Sequence, residues 1–404
     1  MRIAITGASG FVGQALVPRL HAAGHSLLLV GRSADSLKQR YPGLHATDYA
    51  HLSQTLPGCD ALIHLAVLNT GADASMQDYQ LVNVDLWTDV LQVCVDAQIA
   101  KVVLISSLHA ENPNQSAYAA SKRDAEALLE AHSATDQNRK GYILRFPAVY
   151  TDRFAGQLAV LNRLPRFLQT FALQCAACIK PVIGADAVVN AVQDTLHDPS
   201  PFQRRFVSDG QRTNPVYGLL RRTVDLVGGA AGLLVLSPIL LGLWAWVKAT
   251  SPGPGLFAQE RVGRHQRTFT CYKFRTMAVG TRNAASHEVG TASVTPQGQF
   301  LRRWKLDELP QLWNVLLGQQ TLIGPRPCLP AQRALIDARE TLSVFTVRPG
   351  ITGWAQIHGV DMRAPERLAR IDAEYIARRT LVLDLKILLA TLRGAGGGDA
   401  AAES

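Results

Sequence analysis

Two pairs of side chains in this chain have the types and the spacing for chemistry. Tyr118 and Lys122 stand four residues apart, so on a helix they share one face. There a lysine ammonium can lower the phenol pKa and make the tyrosine a usable acid or base near neutrality. Asp307 and Glu308 are adjacent, behind Arg302, Arg303 and Lys305 and just ahead of Pro310. Proline is tolerated only in a first turn, and Leu309, Leu312, Val315 and Leu316 have helical spacing, so a helix is predicted to start near Asp307. That start puts both acids at the positive end of a helix dipole. With the basic side chains beside them, both are predicted to stay ionised, ready to ligate a metal or act as a nucleophile. Neighbours on a helix point about 100° apart, which predicts different jobs for the two. Taken alone, the pair is equally well explained as acids capping a helix start.

The elements that must hold the first pair read clearly. Arg2–Thr6 is a short apolar strand, Gly7-Ala8-Ser9-Gly10-Phe11-Val12-Gly13 a glycine turn, and Gln14–Ala23 has helical spacing at Leu16, Val17 and Leu20. Strand, glycine turn and helix are the context of a dinucleotide fingerprint: glycines let backbone approach a pyrophosphate, and the helix start offers unpaired N–H groups. Strand-like stretches at Ser26–Val30, Ala61–Leu65, Val102–Ser106 and Tyr142–Arg145 extend the βα pattern. After the second strand, Arg32 suits a ribose 2′-phosphate and leans towards NADP, while Asp35 keeps NAD open. Near the second pair, Cys271–Met277 is strand-like, with Lys273 and Arg275 on one side and Tyr272 and Phe274 on the other.

Charge separates the two halves. Residues 1–214 carry 18 basic and 18 acidic side chains, and residues 215–404 carry 23 and 14, so the whole excess of +9 sits in the second half. That half should favour anions such as phosphorylated substrates or anionic lipid. Nucleic acid is not expected, because no helix-turn-helix, zinc-finger or aromatic-basic strand pattern accompanies the charge. The six cysteines form no disulfide framework, and Cys175 and Cys178 lack the second pair a tetrahedral metal site needs, so they read as core thiols. No secretory signal is evident, and both halves are expected in the cytoplasm.

Leu226–Val247 runs 22 residues without a charge, long enough as a helix to cross a hydrocarbon core of about 30 Å. Arg221, Arg222 and Lys248 flank it and give no inside-out bias, and a through-helix would put the two halves on opposite sides. Ser237-Pro238 lies at its middle, where proline breaks or kinks a helix and the serine hydroxyl can take a freed carbonyl. A re-entrant helix, bent at Pro238 and dipping into one leaflet, is therefore expected.

Residues 1–210 resemble the extended short-chain dehydrogenase/reductase family, on Thr-Gly-x-x-Gly-x-x-Gly and Tyr-x-x-x-Lys. The resemblance implies that Gly7, Gly10 and Gly13 bind the pyrophosphate, that Asp48 lies near the adenine, and that Ser107, Tyr118 and Lys122 do the chemistry. Tyr118 would exchange a proton with a sugar hydroxyl or ketone, Ser107 would hold that oxygen, and Lys122 would also bind the nicotinamide ribose. The Val-Tyr-Gly that often follows the serine is absent, and the Ser107–Tyr118 interval is short.

Residues 217–393 resemble the bacterial sugar transferase family of monotopic phosphoglycosyl transferases. The carriers are Tyr272–Met277, Leu301–Leu316, Leu322-Ile323-Gly324-Pro325-Arg326-Pro327 and Val347–Gln356. The resemblance implies that Asp307 attacks the phosphate next to the sugar of a UDP-sugar, releasing UMP, and that undecaprenyl phosphate then takes the phosphosugar. It also implies Mg²⁺ on Glu308, phosphates on Arg302, Lys273 and Arg275, and the nucleotide on Arg326. Lys305 departs from the usual Ser or Thr, and Gly318-Gln319-Gln320-Thr321 from a more acidic stretch.

The expected fold is α/β: a Rossmann doubly wound parallel sheet over 1–213, a re-entrant membrane helix hairpin over 214–250, a small mainly α catalytic domain over 251–393 at the membrane surface, and a disordered tail over 394–404. Phe206–Gly210 is expected to close the first domain. The location implied is the cytoplasmic face of a bacterial inner membrane. The two activities suggest consecutive steps on one nucleotide sugar, the first an NADPH-dependent 4-keto reduction. The alternatives are 4-epimerisation with tightly held NAD, or an inactive first half serving as a binding or oligomerisation module. Oligomeric state is left open, a homodimer included.

Overall fold

The computed structural model describes residues 1–69, 74–136, 138–281 and 294–396. The chain forms two compact units, one of Met1–Leu173 with Lys180–Gly210, the other of Gln174–Ile179 with Gln211–Ser404.

The first unit is built on seven parallel strands. They are β1 (Arg2–Thr6), β2 (Ser26–Gly31), β3 (His45–Asp48), β4 (Ala61–His64), β5 (Lys101–Ser107), β6 (Lys140–Phe146) and β9 (Phe202–Phe206), in the order β3-β2-β1-β4-β5-β6-β9. Two short strands, β7 (Ala148–Tyr150) and β8 (Val182–Gly184), pair in parallel beside this sheet. Strand residues alternate between two cores, as the pleat requires. Ile3, Ile5, Leu27 and Leu29 meet Leu16 and Leu20 of the helix Phe11–Ala22 on one face. Ala4, Leu28 and Val30 meet Trp87, Val90 and Leu129 on the other. Burial on both faces is why these strands read as unbroken apolar runs rather than alternating ones. The closing strand lies at Phe202–Phe206, a few residues ahead of the expected Phe206–Gly210. Its Gln203-Arg204-Arg205 interior hides it from an apolar pattern.

The strand order reverses between β1 and β4, and the glycine turn leaves β1 at that switch point. Gly7 has φ +69°, and a Cβ there would lie 2.6 Å from the backbone N of Ala66. Gly13 lets the following helix sit on the turn, where a Cβ would meet the Ala8 carbonyl oxygen at 2.5 Å. Gly7→Ala should therefore cost the first unit at least about 2 kcal/mol, from left-handed backbone and overpacking together. Chemical denaturation of the full chain tests this, and an unchanged first transition would contradict it.

The second unit begins with one continuous helix, Pro215–Thr250, about 54 Å long at 1.5 Å per residue. The helix runs through Pro238, the position at which a bend is expected. The bond that Pro238 cannot donate would have gone to the Leu234 carbonyl, and the Ser237 hydroxyl donates to that oxygen at 2.7 Å instead. Both flanks of the helix are fastened to the same unit. At one end Tyr217 and Arg221 donate to Asp384 at 2.8 and 3.0 Å, Arg221 also reaches the Ile323 carbonyl, and Asp225 accepts from Thr321 and from the Leu322 backbone. At the other end Val247 is buried with Phe274 and Leu301. The middle is bare: Leu234 is 77% exposed, Val235 72% and Leu241 67%.

An antiparallel hairpin follows, β10 (Leu256–Val262) with β11 (Thr268–Phe274), then a parallel pair, β12 (Thr321–Ile323) with β13 (Gly350–Thr352). The rest is helical. The helix Leu381–Leu392 leaves Val382, Leu385, Leu389 and Leu392 exposed at helical spacing, a second apolar stripe. The expected tail is ordered at its start, where Ala395 donates to the Ala390 carbonyl at 2.9 Å; from 397 on it lies outside the described residues.

Candidate functional site

The densest site is a cavity of about 950 Å³ in the second unit. Asp307, Glu308, Lys273, Arg275, Arg302 and Arg326 all line it, so the six residues singled out for the transfer chemistry meet in one place. Leu236 of the long helix and Leu392 of the apolar stripe form part of the same wall. The cavity thus joins a charged end to apolar surface.

Asp307 and Glu308 sit in a single turn of 3-10 helix, Leu306–Glu308, and the α-helix proper begins at Gln311 with Pro310 capping it. Lys305, just ahead, adopts left-handed backbone at φ +55°, which turns the chain into the cavity. The two acids do differ. Glu308 Oε1 accepts from Arg326 at 2.6 Å and from Lys273 at 3.2 Å. Among the described residues, no hydrogen bond or ion pair ties down the Asp307 carboxylate, although it is buried. Burial, then the like charge of Glu308, pushes the Asp307 pKa up, against the pull of Lys273, Arg302 and Arg326. Sequence alone shows only the dipole and the cations; burial and the charge of Glu308 act against them and shift the carboxyl upward.

Arg275 and Arg302 are held by backbone and hydroxyl oxygens rather than acids. Arg275 donates to the Ser251 carbonyl at 2.8 Å, and Arg302 to Thr276 Oγ1 at 3.0 Å. Arg275 Nε and Nη1 and Arg302 Nη1 are buried and lack partners among the described residues. Buried donors left over in a cavity are what an anionic ligand would satisfy.

Sequence reasoning missed the brace behind Arg326. Arg339 is buried, donates to Asp372 at 2.7 and 3.0 Å, and donates to the Arg326 carbonyl at 2.9 Å. No motif pointed to Arg339 or to Asp372. Lys305 Nζ donates to the Ala395 carbonyl at 3.1 Å, which ties the end of the described chain to this cavity.

In the first unit the glycine turn opens onto the helix Phe11–Ala22, whose N-cap, Gly10, offers no side-chain acceptor. Its first N–H groups are thus left for a pyrophosphate, and a dinucleotide fits this cradle. Arg32 is exposed just after β2, and Asp48 pairs in register with Gly31. The Asp48 carboxylate already accepts from the His51 backbone at 3.0 Å and from His51 Nδ1 at 2.7 Å.

Ser107 ends β5, and Tyr118 and Lys122 lie on the helix Ala117–Ala134. Ser107 Oγ is 2.9 Å from His109 Nδ1, and the His109 ring meets Tyr118 edge-on at 5.7 Å, a neighbour the sequence did not suggest. The Tyr118 phenol is pushed up by burial, with the Ser107 hydroxyl pulling the other way. That reverses the lowering expected from Lys122, whose ammonium instead donates to the Ile105 carbonyl at 2.9 Å.

Burial pushes Lys122 itself down to about 8, against the charge of Glu126. Its folded pKa is depressed, so between about 8 and 10.5 the unfolded chain binds more protons and stability rises with pH. The stability gap between wild type and Lys122→Met should move towards wild type by up to about 3 kcal/mol across that window. Denaturation at both ends of the window reads it, and a gap independent of pH would contradict the burial of a charged Lys122.

Residues 216–396 match the family described as Bacterial sugar transferase, and residues 3–183 match the NAD dependent epimerase/dehydratase family. The UDP-N-acetylgalactosamine-undecaprenyl-phosphate N-acetylgalactosaminephosphotransferase of Aeromonas hydrophila is 36% identical over 190 residues, 45% of this chain and 44% of that protein. This chain therefore spans less than half the length of that relative. The uncharacterized sugar transferase EpsL of Bacillus subtilis is 38% identical over 175 residues, 43% of this chain and 86% of that protein. Among solved structures, the UDP-N-acetylglucosamine 4-epimerase of Bacillus cereus aligns with 52% of this chain and 78% of its own, at 19% identity and a TM-score of 0.41. With most of EpsL matched by the half that holds the Asp307 cavity, the chain belongs to the bacterial sugar transferase family and carries a domain of the NAD dependent epimerase/dehydratase family ahead of it.

Proposed function

We propose that the second unit transfers a phosphosugar from a UDP-sugar to undecaprenyl phosphate, and that the first unit modifies the nucleotide sugar beforehand. One observation carries the transferase reading: a buried carboxylate, Asp307, left untied among cations in a cavity that runs out to apolar helices. An Asp307 oxygen attacks the phosphorus next to the sugar. The new O–P bond forms as the bond to the uridylyl phosphate breaks, and UMP leaves with that electron pair. A phosphate oxygen of undecaprenyl phosphate then attacks the same phosphorus and returns Asp307 as a carboxylate.

Arg275, Arg302 and Lys273 would hold the phosphates and Arg326 the nucleotide, filling the unpaired donors of Arg275 and Arg302. Mg²⁺ fits the donor chemistry, since it is commonly bound by one or two carboxylates together with substrate phosphates. Glu308 would be its protein ligand, and the ion would neutralise charge on the pyrophosphate oxygens. Catalysis by the chain itself is mostly positioning: cations fix the pyrophosphate in line with Asp307, and burial keeps water from competing.

The chain is read as monotopic, with the long helix entering and leaving one leaflet and both units on the cytoplasmic face of a bacterial inner membrane. Supporting this are the two fastened flanks, the bare middle around Pro238, and the Val382–Leu392 stripe. A membrane under those residues would also bring the polyprenol to the apolar wall of the cavity.

For the first unit the reading is reduction of a UDP-4-keto-6-deoxy-N-acetylhexosamine. Tyr118 gives its phenolic proton to the sugar oxygen, Ser107 holds that oxygen, and Lys122 binds the ribose. NADPH would supply the hydride, with exposed Arg32 suited to its 2′-phosphate. The test is UMP release by membrane-extracted full chain with Mg²⁺, undecaprenyl phosphate and a panel of UDP-sugars, with and without NADPH. Release from at least one sugar is expected, and release from a 4-keto sugar is expected to require NADPH. No UMP from any sugar would overturn the transferase reading.

A further inference from the structure

The helix Arg166–Ile179 buries only Ala177 and Cys178. A helix of this length normally gains its stability by burying an apolar face. Here that face is turned outward: Phe167 is 79% exposed, Phe171 58% and Ile179 59%, with Val160 and Leu168 exposed beside them. Phe167 and Phe171 stand four residues apart, so they form one ridge. From residue 153 to residue 185 the chain carries Arg153, Arg163, Arg166 and Lys180 and no acid, with Asp152 and Asp186 just outside that stretch.

We propose that this helix is a second membrane contact, lying in the plane of an anionic lipid surface with Phe167 and Phe171 among the acyl chains. Apolar ridge, flanking arginines and a single sign of charge within the segment are what an in-plane interfacial helix requires, and long basic side chains reach outward to headgroups from its edges. A second copy of the chain fits worse. A two-fold contact sets a patch against itself, and this one would bring the cations of the segment against the same cations of the other copy.

The helix also meets the start of the long helix through its own last turn. That turn belongs to the second unit, where Gln211 and Asn214 donate to the carbonyls of Ala177 and Gln174 at 2.6 and 2.9 Å. Asn214 is the N-cap of the long helix. The inference therefore rests on the membrane reading of Pro215–Thr250 and extends it to the first unit.

The test places the photoreactive amino acid benzoylphenylalanine, a phenylalanine extended by a benzoyl group, at the exposed position 171 of the full chain. A companion carries it at position 241, in the bare middle of the long helix. Both are reconstituted into vesicles of phosphatidylethanolamine with phosphatidylglycerol and irradiated, and adducts are read by mass. Lipid adducts at both positions are expected. Arg163→Glu with Arg166→Glu should lower the yield at 171 and leave 241 unchanged, since each basic residue near an anionic surface is worth a factor of roughly five in partitioning. Lipid adducts at 241 with only protein adducts, or none, at 171 would overturn the inference and leave the long helix in place. No lipid adduct at either position would remove the membrane reading itself.

Discussion

Replacing Asp307 by alanine is expected to lower UMP release by at least about a thousandfold, the scale on which losing a covalent nucleophile is felt. The loss should fall on kcat, with donor binding little changed, because Lys273, Arg275, Arg302 and Arg326 would still hold the phosphates. Asp307→Asn keeps the shape and should be nearly as inactive, since a neutral amide cannot supply the attacking oxygen. The raised pKa of Asp307 adds a signature in pH. The ionised form is the reactive one, so the wild-type rate should fall on acidification through a pKa above the ordinary carboxylate value of 3.8. Lys273→Met removes a cation that lowers that pKa and should move the acidic limb to higher pH. A limb that stays put would mean that some other group sets it.

Tyr118→Phe should abolish the chemistry of the first unit and spare that of the second. General acid–base catalysis by a placed side chain is worth about 10²–10⁴-fold, and phenylalanine removes the proton while leaving the ring edge that meets His109. NADPH oxidation by a 4-keto UDP-sugar is the direct reading. UMP release from a donor the second unit already accepts should be unchanged. The variant also separates the readings of the first unit. Reduction and 4-epimerisation both need the phenol, whereas a binding or oligomerisation module would behave as wild type in every assay.

Much of this was legible in the sequence, and the reasons differ by element. The strands Ser26–Gly31, Ala61–His64, Lys101–Ser107 and Lys140–Phe146 announced themselves because a parallel sheet covered on both faces demands uninterrupted apolar runs. The glycine turn was legible because Gly7 and Gly13 occupy positions where a Cβ meets backbone. What stayed hidden depends on tertiary burial. Tyr118 and Asp307 were both assigned pKa shifts from neighbours in sequence, and in both cases desolvation by distant parts of the chain reversed the sign. The helix start predicted near Asp307 falls on the 3-10 turn Leu306–Glu308, but the left-handed Lys305 that precedes it has no sequence signature. Pairs far apart in sequence, such as Arg339 with Asp372 behind Arg326, are invisible to any local pattern.

The claim at the centre of this account is that Asp307 itself carries the phosphosugar. The most direct measurement is the mass of the intact chain after incubation with Mg²⁺ and an accepted UDP-sugar, with no undecaprenyl phosphate present. Release of UMP is expected in an amount no greater than the enzyme, with a matching gain of one phosphosugar in mass that maps to Asp307, is absent from Asp307→Ala and is discharged when undecaprenyl phosphate is added. UMP that appears only when undecaprenyl phosphate is present, with Asp307 never modified, would mean direct transfer between the two substrates and would contradict the account.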